Sequence, residues 1–334
     1  MAYCLRDGAH YTLHAGGGPG GFTLEGTLAE LAAALPAAVP DARRRAALEA
    51  VLDAYRFPPT AWVVGGRPLP LNRPVLMGIL NVTPDSFADG GRFLDPARAI
   101  EHGLQMAAEG ADLLDIGGES TRPGAAPVEV SEELARVLPV IRELKARCPL
   151  PLSIDTTKAA VAREALRAGA CVVNDISALE ADPAMAAEAA AHGASVVLMH
   201  RKGTPDVMQK DPRYDDLPEE VLAGLAAGLT RARAAGIPDD RIAVDPGIGF
   251  GKTLDHNLWL LRHIEFLQAL GRPILVGASR KSFIGAYTGR PVDDRLPGTL
   301  AAHASAWRKG ARIFRVHDVG AHRDFFRLEE TLDA

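Results

Sequence analysis

Aromatic side chains are scarce in this chain, at 5% of 334 residues, while alanine and its 33 glycines are plentiful. That balance suits helices packed closely on a sheet. There is no excess of basic charge. A formal net charge of −5 supplies no basic patch for nucleic acid, so any bound anion must be held by a few placed cations, by helix N-termini or by a metal. Cysteine patterning is missing too: Cys4, Cys148 and Cys171 lie far apart without metal-ligand spacing, as expected of reduced, partly buried thiols in a cytosolic protein. No uninterrupted apolar run approaches the roughly 20 residues that span a bilayer. The opening stretch MAYCLRDGAH lacks the basic-then-apolar pattern of a secretory signal. These absences lead us to expect a cytoplasmic protein with neither a membrane nor a nucleic acid as partner.

What remains is enough apolar material for a sizeable core, 47% hydrophobic against 24% charged residues, in a length that fits two average domains or one large barrel. Residues 1–60 differ in texture from the rest. They carry a glycine cluster (Gly16, Gly17, Gly18, Gly20, Gly21) and two Ala-rich stretches. No strand clearly precedes the cluster and no Lys-Ser/Thr pair follows it, so it reads as a turn and not as a phosphate loop. Thr27 is placed to cap a helix through Leu35, and Asp41 another to about Tyr55. This predicts a short, mostly helical N-terminal extension of unknown role. The Phe57-Pro58-Pro59 run reads as a linker, and residues 61–64 and 67–71 as a hairpin about Gly65-Gly66.

From Val75 the rhythm changes. Short apolar runs at 75–82, 113–117, 152–155, 171–175, 195–200, 242–245, 274–278 and 313–316 alternate with helical segments near 96–109, 131–147, 158–168, 183–192, 217–235, 255–270, 281–309 (broken around Pro291–Pro297) and 320–332. Eight strand–helix units predict an α/β fold, a (β/α)8 TIM barrel over 61–334. The runs end in polar residues: Asn81, Asp115, Asp155, Asn174 with Asp175, His200, Asp245, Ser279, and Arg315 with His317. One such residue is easily a helix cap. A whole ring of them points to a polar site at the carboxyl mouth of the barrel.

Four stretches are more specific: MGILNVTPDSFADGG (77–91), DIGGESTRPGA (115–125), DPGIGFGK (245–252) and SRKS (279–282). Together with RVHD (315–318), and with SIDT (153–156), VNDIS (173–177) and LMH (198–200) between them, they resemble in order the signature segments of dihydropteroate synthases. The resemblance covers about residues 61–334 and leaves the first 60 unmatched. It implies an enzyme that transfers the pterinylmethyl group of (7,8-dihydropterin-6-yl)methyl diphosphate to 4-aminobenzoate, releasing diphosphate. The path it implies goes through an SN1-like pterinyl cation.

By that resemblance, Asp245 accepts two N–H bonds from the pterin edge, a charge-assisted and geometrically specific match. Asn174 donates and accepts beside it, Lys281 reaches the carbonyl and a ring nitrogen, and Asp155 stabilises positive charge as the CH2–O bond breaks. Read from the residues alone, Asp155 is also a candidate cap for the helix that follows. Ile176 and Met199 are expected as apolar walls against the pterin ring, and each fits ordinary core equally well. Arg315 and His317 are assigned to the diphosphate, Arg315 with some pterin contact. Asn81 resembles the family's Mg2+ ligand; a single amide oxygen completed by phosphate oxygens and water is ordinary for this ion. Two Gly/Pro-containing loops, 83–94 and 118–128, are expected to close as lids and keep water from the cation. Thr121 is expected at the diphosphate or the amine. Arg122 and Pro123, with Asp85 and Phe87, are expected to build the aminobenzoate pocket, and Ser282 to meet its carboxylate. His200 and His256 read as structural or surface residues. Family members are typically homodimers, so a homodimer is expected.

Two other classes fit parts of this pattern. A pterin-binding methyltransferase domain would keep Asp155, Asn174 and Asp245 but has no use for the Arg315/His317 pair with the STRPG loop. A non-catalytic pterin-binding paralogue would keep the floor with its lids disabled, whereas both lid sequences look whole here.

Overall fold

The computed structural model describes residues 1–334 except 17–20, 84–95, 121–126, 205–206 and 333–334. The chain opens with strands β1 (Ala2–Asp7), β2 (His10–Ala15) and β3 (Phe22–Gly26), then helices α1 (Leu28–Ala38) and α2 (Ala42–Arg56). A hairpin, β4 (Ala61–Val64) and β5 (Arg67–Pro70), leads into the barrel. Its units are β6 (Val75–Asn81) and α3 (Pro96–Ala108), β7 (Leu113–Gly117) and α4 (Val130–Arg147), β8 (Leu152–Asp155) and α5 (Ala159–Ala168), then β9 (Val172–Asp175) and α6 (Met185–Ala191). They continue with β10 (Ser195–Met199) and α7 (Leu217–Ala234), β11 (Ile242–Asp245) and α8 (Leu254–Arg262), and a 3-10 turn (Ile264–Leu270). The last are β12 (Leu275–Val276), α9 (Ser282–Thr288) and α10 (Leu296–Arg308), and β13 (Ile313–Val316) with α11 (Val319–Leu332).

The eight parallel strands pair in the order β11-β10-β9-β8-β7-β6-β13-β12. The bridge Val244↔Ile274 joins the two ends, so the expected (β/α)8 barrel closes. Strand alternation decides what points inward. Val75, Met77, Leu113, Val172, Val197, Ala243, Leu275 and Ile313 cluster with Trp62 and Val64 of the hairpin, which therefore plugs the amino end of the barrel. Ser195 Oγ fastens the plug by donating to Val63 O at 2.6 Å. Intervening residues such as Leu76, Leu114, Ile154, Val173 and Leu198 belong to the outer layer under the helices. Counting forward in twos from the plug, six strands each deliver one inward side chain to the carboxyl end, Asn81, Asp115, Asn174, Met199, Asp245 and Arg315, while β12 brings Gly277 there. On β8, where Leu152 faces outward, the same parity brings Asp155 inward.

The extension holds both expected helices. Thr27 and Glu30 form a capping box on α1, and Asp41 accepts from Arg44 N at 2.6 Å on α2. It also holds a three-stranded antiparallel sheet that the sequence reading lacked. In particular, β2 directly precedes the glycine cluster, contrary to expectation. Gly17, Gly18 and Gly20 lie outside the described residues; beyond them the chain continues into β3, with Ala15 paired to Phe22, and not into a helix. These strands were hard to see because they form one thin sheet with a single covered side; residues of β3 alternate between half-buried and exposed. Cys4, Leu13, Leu31, Leu35, Leu52 and Tyr55 make a core separate from that of the barrel. The extension is seated on the 3-10 turn. Tyr55 Oη accepts from Cys4 N at 2.8 Å and lies 3.2 Å from Phe266 O. Glu265 accepts from Arg6 N at 3.2 Å and from Lys309 Nζ at 3.1 Å.

The three cysteines are free thiols, with Cys4 and Cys148 buried. Among the described residues no helix is long and apolar enough to cross a membrane.

Candidate active site

Strand parity gathers Asn81, Asp115, Asp155, Asn174, Met199, Asp245 and Arg315 at one mouth. Arg315 is the hub of this ring. Its Nε donates to Asp115 Oδ2 at 2.6 Å and its Nη2 to Asp155 Oδ2 at 2.7 Å. Asn174 Nδ2 donates to the same Asp115 oxygen at 2.9 Å. Asp115 is fully buried and its Oδ1 has no hydrogen-bond partner. Burial raises the Asp155 carboxyl above its ordinary range; the Arg315 guanidinium opposes this and Asp115 adds to it. Asp155 does not cap the next helix: Ala159 N donates instead to Asp182 Oδ2 at 2.8 Å.

Asp245 stands on the other side of the mouth. Gly247 N donates to its Oδ1 at 2.7 Å, and burial raises its pKa while Lys281 opposes. Gly247 itself sits at φ +68°, where an added Cβ would lie 1.9 Å from His200 O, so only glycine fits this turn. Lys281 donates to Ile248 O and stands 4.4 Å from the centre of the Phe250 ring. Burial draws its pKa down to about 8, with Asp245 opposing.

Lys252 lies below this turn, 2% exposed, with Nζ 3.0 Å from His200 Nδ1 and 3.0 Å from Phe250 O. Burial lowers its pKa to about 7, and burial together with this lysine lowers that of His200 to about 2. His200 is therefore a buried neutral acceptor. His256, half-buried, closes the capping box of α8 with Thr253. Between the ends of β12 and β13, His317 N donates to Ser279 Oγ at 3.2 Å, and that hydroxyl lies 3.0 Å from His317 Nδ1.

Ile176 and Met199 are both buried beside the ring. Ser282 is exposed as the first residue of α9, a helix of only seven residues. With Gly249, Lys252, Thr253 and Phe283 it lines a cavity of about 430 Å³ outside the strand-end ring. Asp85, Phe87, Thr121, Arg122 and Pro123 lie outside the described residues. The ends of the second loop do lie within them. Glu119 accepts from Val128 N at 2.9 Å and from Lys158 Nζ at 2.7 Å, and Arg136 holds Gly118 O at 2.6 Å.

A metal would find one suitable donor in Asn81, half-buried at the end of β6 and paired with Gly117 next to Asp155. Among the described residues no three His, Cys, Asp or Glu side chains cluster as a metal cage. This donor set fits an oxygen-loving ion held chiefly by its substrate and by water.

The sequence motifs gave no role to Phe250 and Lys252, and named Asp115 only as one of the polar strand ends. Each stands in a quoted motif, and Asp115 is two residues beyond the plug residue Leu113. That parity was the available signal.

The family model described as pterin binding enzyme matches residues 77–317. A dihydropteroate synthase of Synechocystis sp. is 47% identical over 261 residues, which is 78% of this chain and 90% of the relative. Among solved structures, Xanthomonas albilineans dihydropteroate synthase with 4-aminobenzoic acid superposes at TM-score 0.77 with 47% identity, covering 82% of this chain and 98% of that one. The Yersinia pestis dihydropteroate synthase in a sulfonamide drug complex superposes at 0.77 with 45% identity, covering 83% and 100%.

Proposed function

Because the chain belongs to the dihydropteroate synthases, we propose that its barrel mouth binds (7,8-dihydropterin-6-yl)methyl diphosphate on Asp155, Asn174, Asp245 and Lys281 and joins it to 4-aminobenzoate. The observation that carries this reading is Asp245, buried at the end of β11 with its Oδ1 held by Gly247 N–H, on the same side of the mouth as Lys281. A buried carboxylate oriented by Gly247 N–H matches the donors of the pterin edge, and the half-buried ammonium of Lys281 matches the carbonyl. Asn174 and the Arg315-bridged carboxylates complete the polar floor, with Ile176 and Met199 as its apolar walls.

The leaving diphosphate is strongly anionic. Arg315 and His317, with Lys281, are the cationic or donor groups at the ends of β12 and β13, where barrels often take phosphate. Arg315 already lies against Asp155. We therefore place it between ring and diphosphate, where it moves positive charge toward the departing oxygen while Asp155 faces the developing CH2 cation. Mg2+ is the cofactor in this reading: held by Asn81 and by the substrate, it would neutralise diphosphate charge. No general base is invoked, since an aromatic amine is already nucleophilic.

Thr121, Arg122, Pro123, Asp85 and Phe87 are assigned to the lids and the aminobenzoate pocket, Thr121 also to the diphosphate, and Ser282 to the aminobenzoate carboxylate. The seven-residue α9 adds little helix-end field to that last contact. The anchored ends of the 118–128 loop support a lid that closes on fixed hinges. A sulfonamide-bound relative supports competition between sulfonamides and aminobenzoate here. The reading includes a cytoplasmic homodimer in which residues 1–60 are an accessory piece and 61–334 the catalytic barrel. A coupled assay for diphosphate release tests it. Release should require both 4-aminobenzoate and Mg2+; pterin binding without turnover would sink it in favour of a non-catalytic paralogue.

A further inference from the structure

Two buried histidines, His303 on α10 and His322 on α11, have no part in the mechanism above. Both are fully buried. Ala278 N, at the end of β12, donates to His303 Nε2 at 3.2 Å. His303 Nδ1 lies 2.9 Å from His322 Nε2, and His322 Nδ1 lies 2.7 Å from Asp318 O, just beyond β13.

The two ends of this chain of bonds fix every proton in it. A backbone N–H can only donate and a carbonyl can only accept. His303 must therefore accept at Nε2 and carry its hydrogen on Nδ1. That hydrogen goes to His322 Nε2, so His322 also carries its hydrogen on Nδ1 and gives it to Asp318 O. Each ring is neutral, in keeping with the burial that lowers both pKa values. A further proton would set two N–H groups against each other or against Ala278 N–H.

The relay also closes into a ring. The Asp318 carboxylate takes Arg280 Nε at 3.1 Å, and Arg280 N donates to Thr299 Oγ1 at 3.1 Å on the same helix as His303. Arg280 is held at φ +56°, a left-handed conformation that costs a side-chain-bearing residue energy and persists where its surroundings enforce it. The segments tied together, 278–281 and 315–318, are those that carry Lys281, Arg315 and His317.

We propose that His303 and His322 are positioning residues: a neutral two-imidazole relay that sets the spacing between the β12 and β13 ends and so preorganises the diphosphate subsite without touching substrate. This rests on the reading that these ends take the diphosphate.

The test is calorimetric, on the full chain with Mg2+ present, using inorganic diphosphate and, separately, 6-hydroxymethylpterin as probes. His303→Phe and His322→Phe keep ring volume but break the relay. Each should weaken diphosphate binding about tenfold, the scale of an orphaned buried hydrogen bond, and weaken pterin binding, which these segments reach only through Lys281 and Arg315, by clearly less. If a variant loses only thermal stability with both affinities intact, or if both affinities fall by the same factor, the relay does not position this subsite. If the wild-type protein fails to bind diphosphate at all, the functional reading itself fails and the proposal with it. Should neither variant fold, the wild-type protein decides: its assigned imidazole 15N resonances must place the proton of both His303 and His322 on Nδ1, and a proton on Nε2 of either ring overturns the relay.

Discussion

Arg315 on β13 reaches past two intervening strands to donate its Nη2 to Asp155 on β8, at 2.7 Å, while its Nε holds Asp115 at 2.6 Å. One guanidinium thus pairs with two carboxylates at once, one of them fully buried. A lysine cannot serve both, because it offers a point charge in place of a planar fork. Arg315→Lys is expected to leave one carboxylate buried and unpaired, at a cost of about 3 kcal/mol or more. Urea unfolding should show the loss, and turnover should fall at least about a hundredfold. A fully stable, active Lys variant would remove Arg315 from the hub.

Asp245→Asn replaces a charged acceptor by a neutral amide of the same shape. The pterin edge then loses a charge-assisted bond and meets an N–H where it needs an oxygen. Pterin affinity measured by calorimetry should fall about a hundredfold, with little change in melting temperature. Unchanged affinity would take Asp245 off the pocket floor.

Lys281 is cationic below, and neutral above, a pKa that burial has lowered to about 8 in the free protein. If the ammonium is the form that meets the pterin carbonyl and the diphosphate, kcat/KM for the pterin substrate must decline as pH rises through about 8, because that ratio reports the free enzyme. Bound diphosphate favours the ammonium, so the decline in kcat should come at higher pH. A pH–rate profile checks this; a flat kcat/KM to pH about 9.5 would contradict it.

Lys252 makes a stability prediction. Its folded pKa, about 7, lies below that of an unfolded lysine, about 10.4. Between these values the unfolded chain binds more protons than the folded one, so stability contributed by this site rises with pH across the window. The difference in unfolding free energy between wild type and Lys252→Met should therefore grow from pH 7 to 9, by about 1 to 2 kcal/mol. Urea titrations at both pH values measure it, and a difference that stays flat over the range would mean that Lys252 is charged in the fold.

Asp85→Ala and Arg122→Ala bear on the two loops. If these loops assemble over bound substrate, each change should lower turnover by about a hundredfold or more while pterin affinity stays within a few-fold. Equal losses in both quantities would speak for a direct pterin contact instead.

Where the chain repeats one simple unit, its fold was readable in advance. The runs 113–117, 152–155, 242–245 and 313–316 are the strands β7, β8, β11 and β13 without adjustment, because a strand covered on both faces is continuously apolar and stops abruptly at its polar end. The run 274–278 shrank to Leu275–Val276: backbone pairing depends on a neighbour, and β11 meets this strand at a single bridge. Asp115 illustrates the other kind of gap. A strand-end Asp looks the same whether it turns outward to cap a helix or inward to grip an arginine 200 residues away. Only the plug formed by Leu113 and Trp62 fixes which face is inside. The positions of Asn81, Asp155, Asn174, Asp245 and Arg315 on one ring were legible; the bonds that Arg315 makes across it were not.

A cask is only as tight as its narrowest stave, and here that stave is β12. Two residues long, it meets β11 through Val244↔Ile274 alone, and Asp245 is the next residue along. The turn that delivers the chain to β12 is the one on which the first 60 residues are seated, through Tyr55 at Phe266 O and Arg6 at Glu265. The extension thus works as a hoop on the weakest joint of the wall. With the hoop cut away, amide hydrogens at Val244 and Ile274 should exchange with solvent sooner than those of β7 on the far side, and pterin should leave faster from a pocket whose chemistry is untouched.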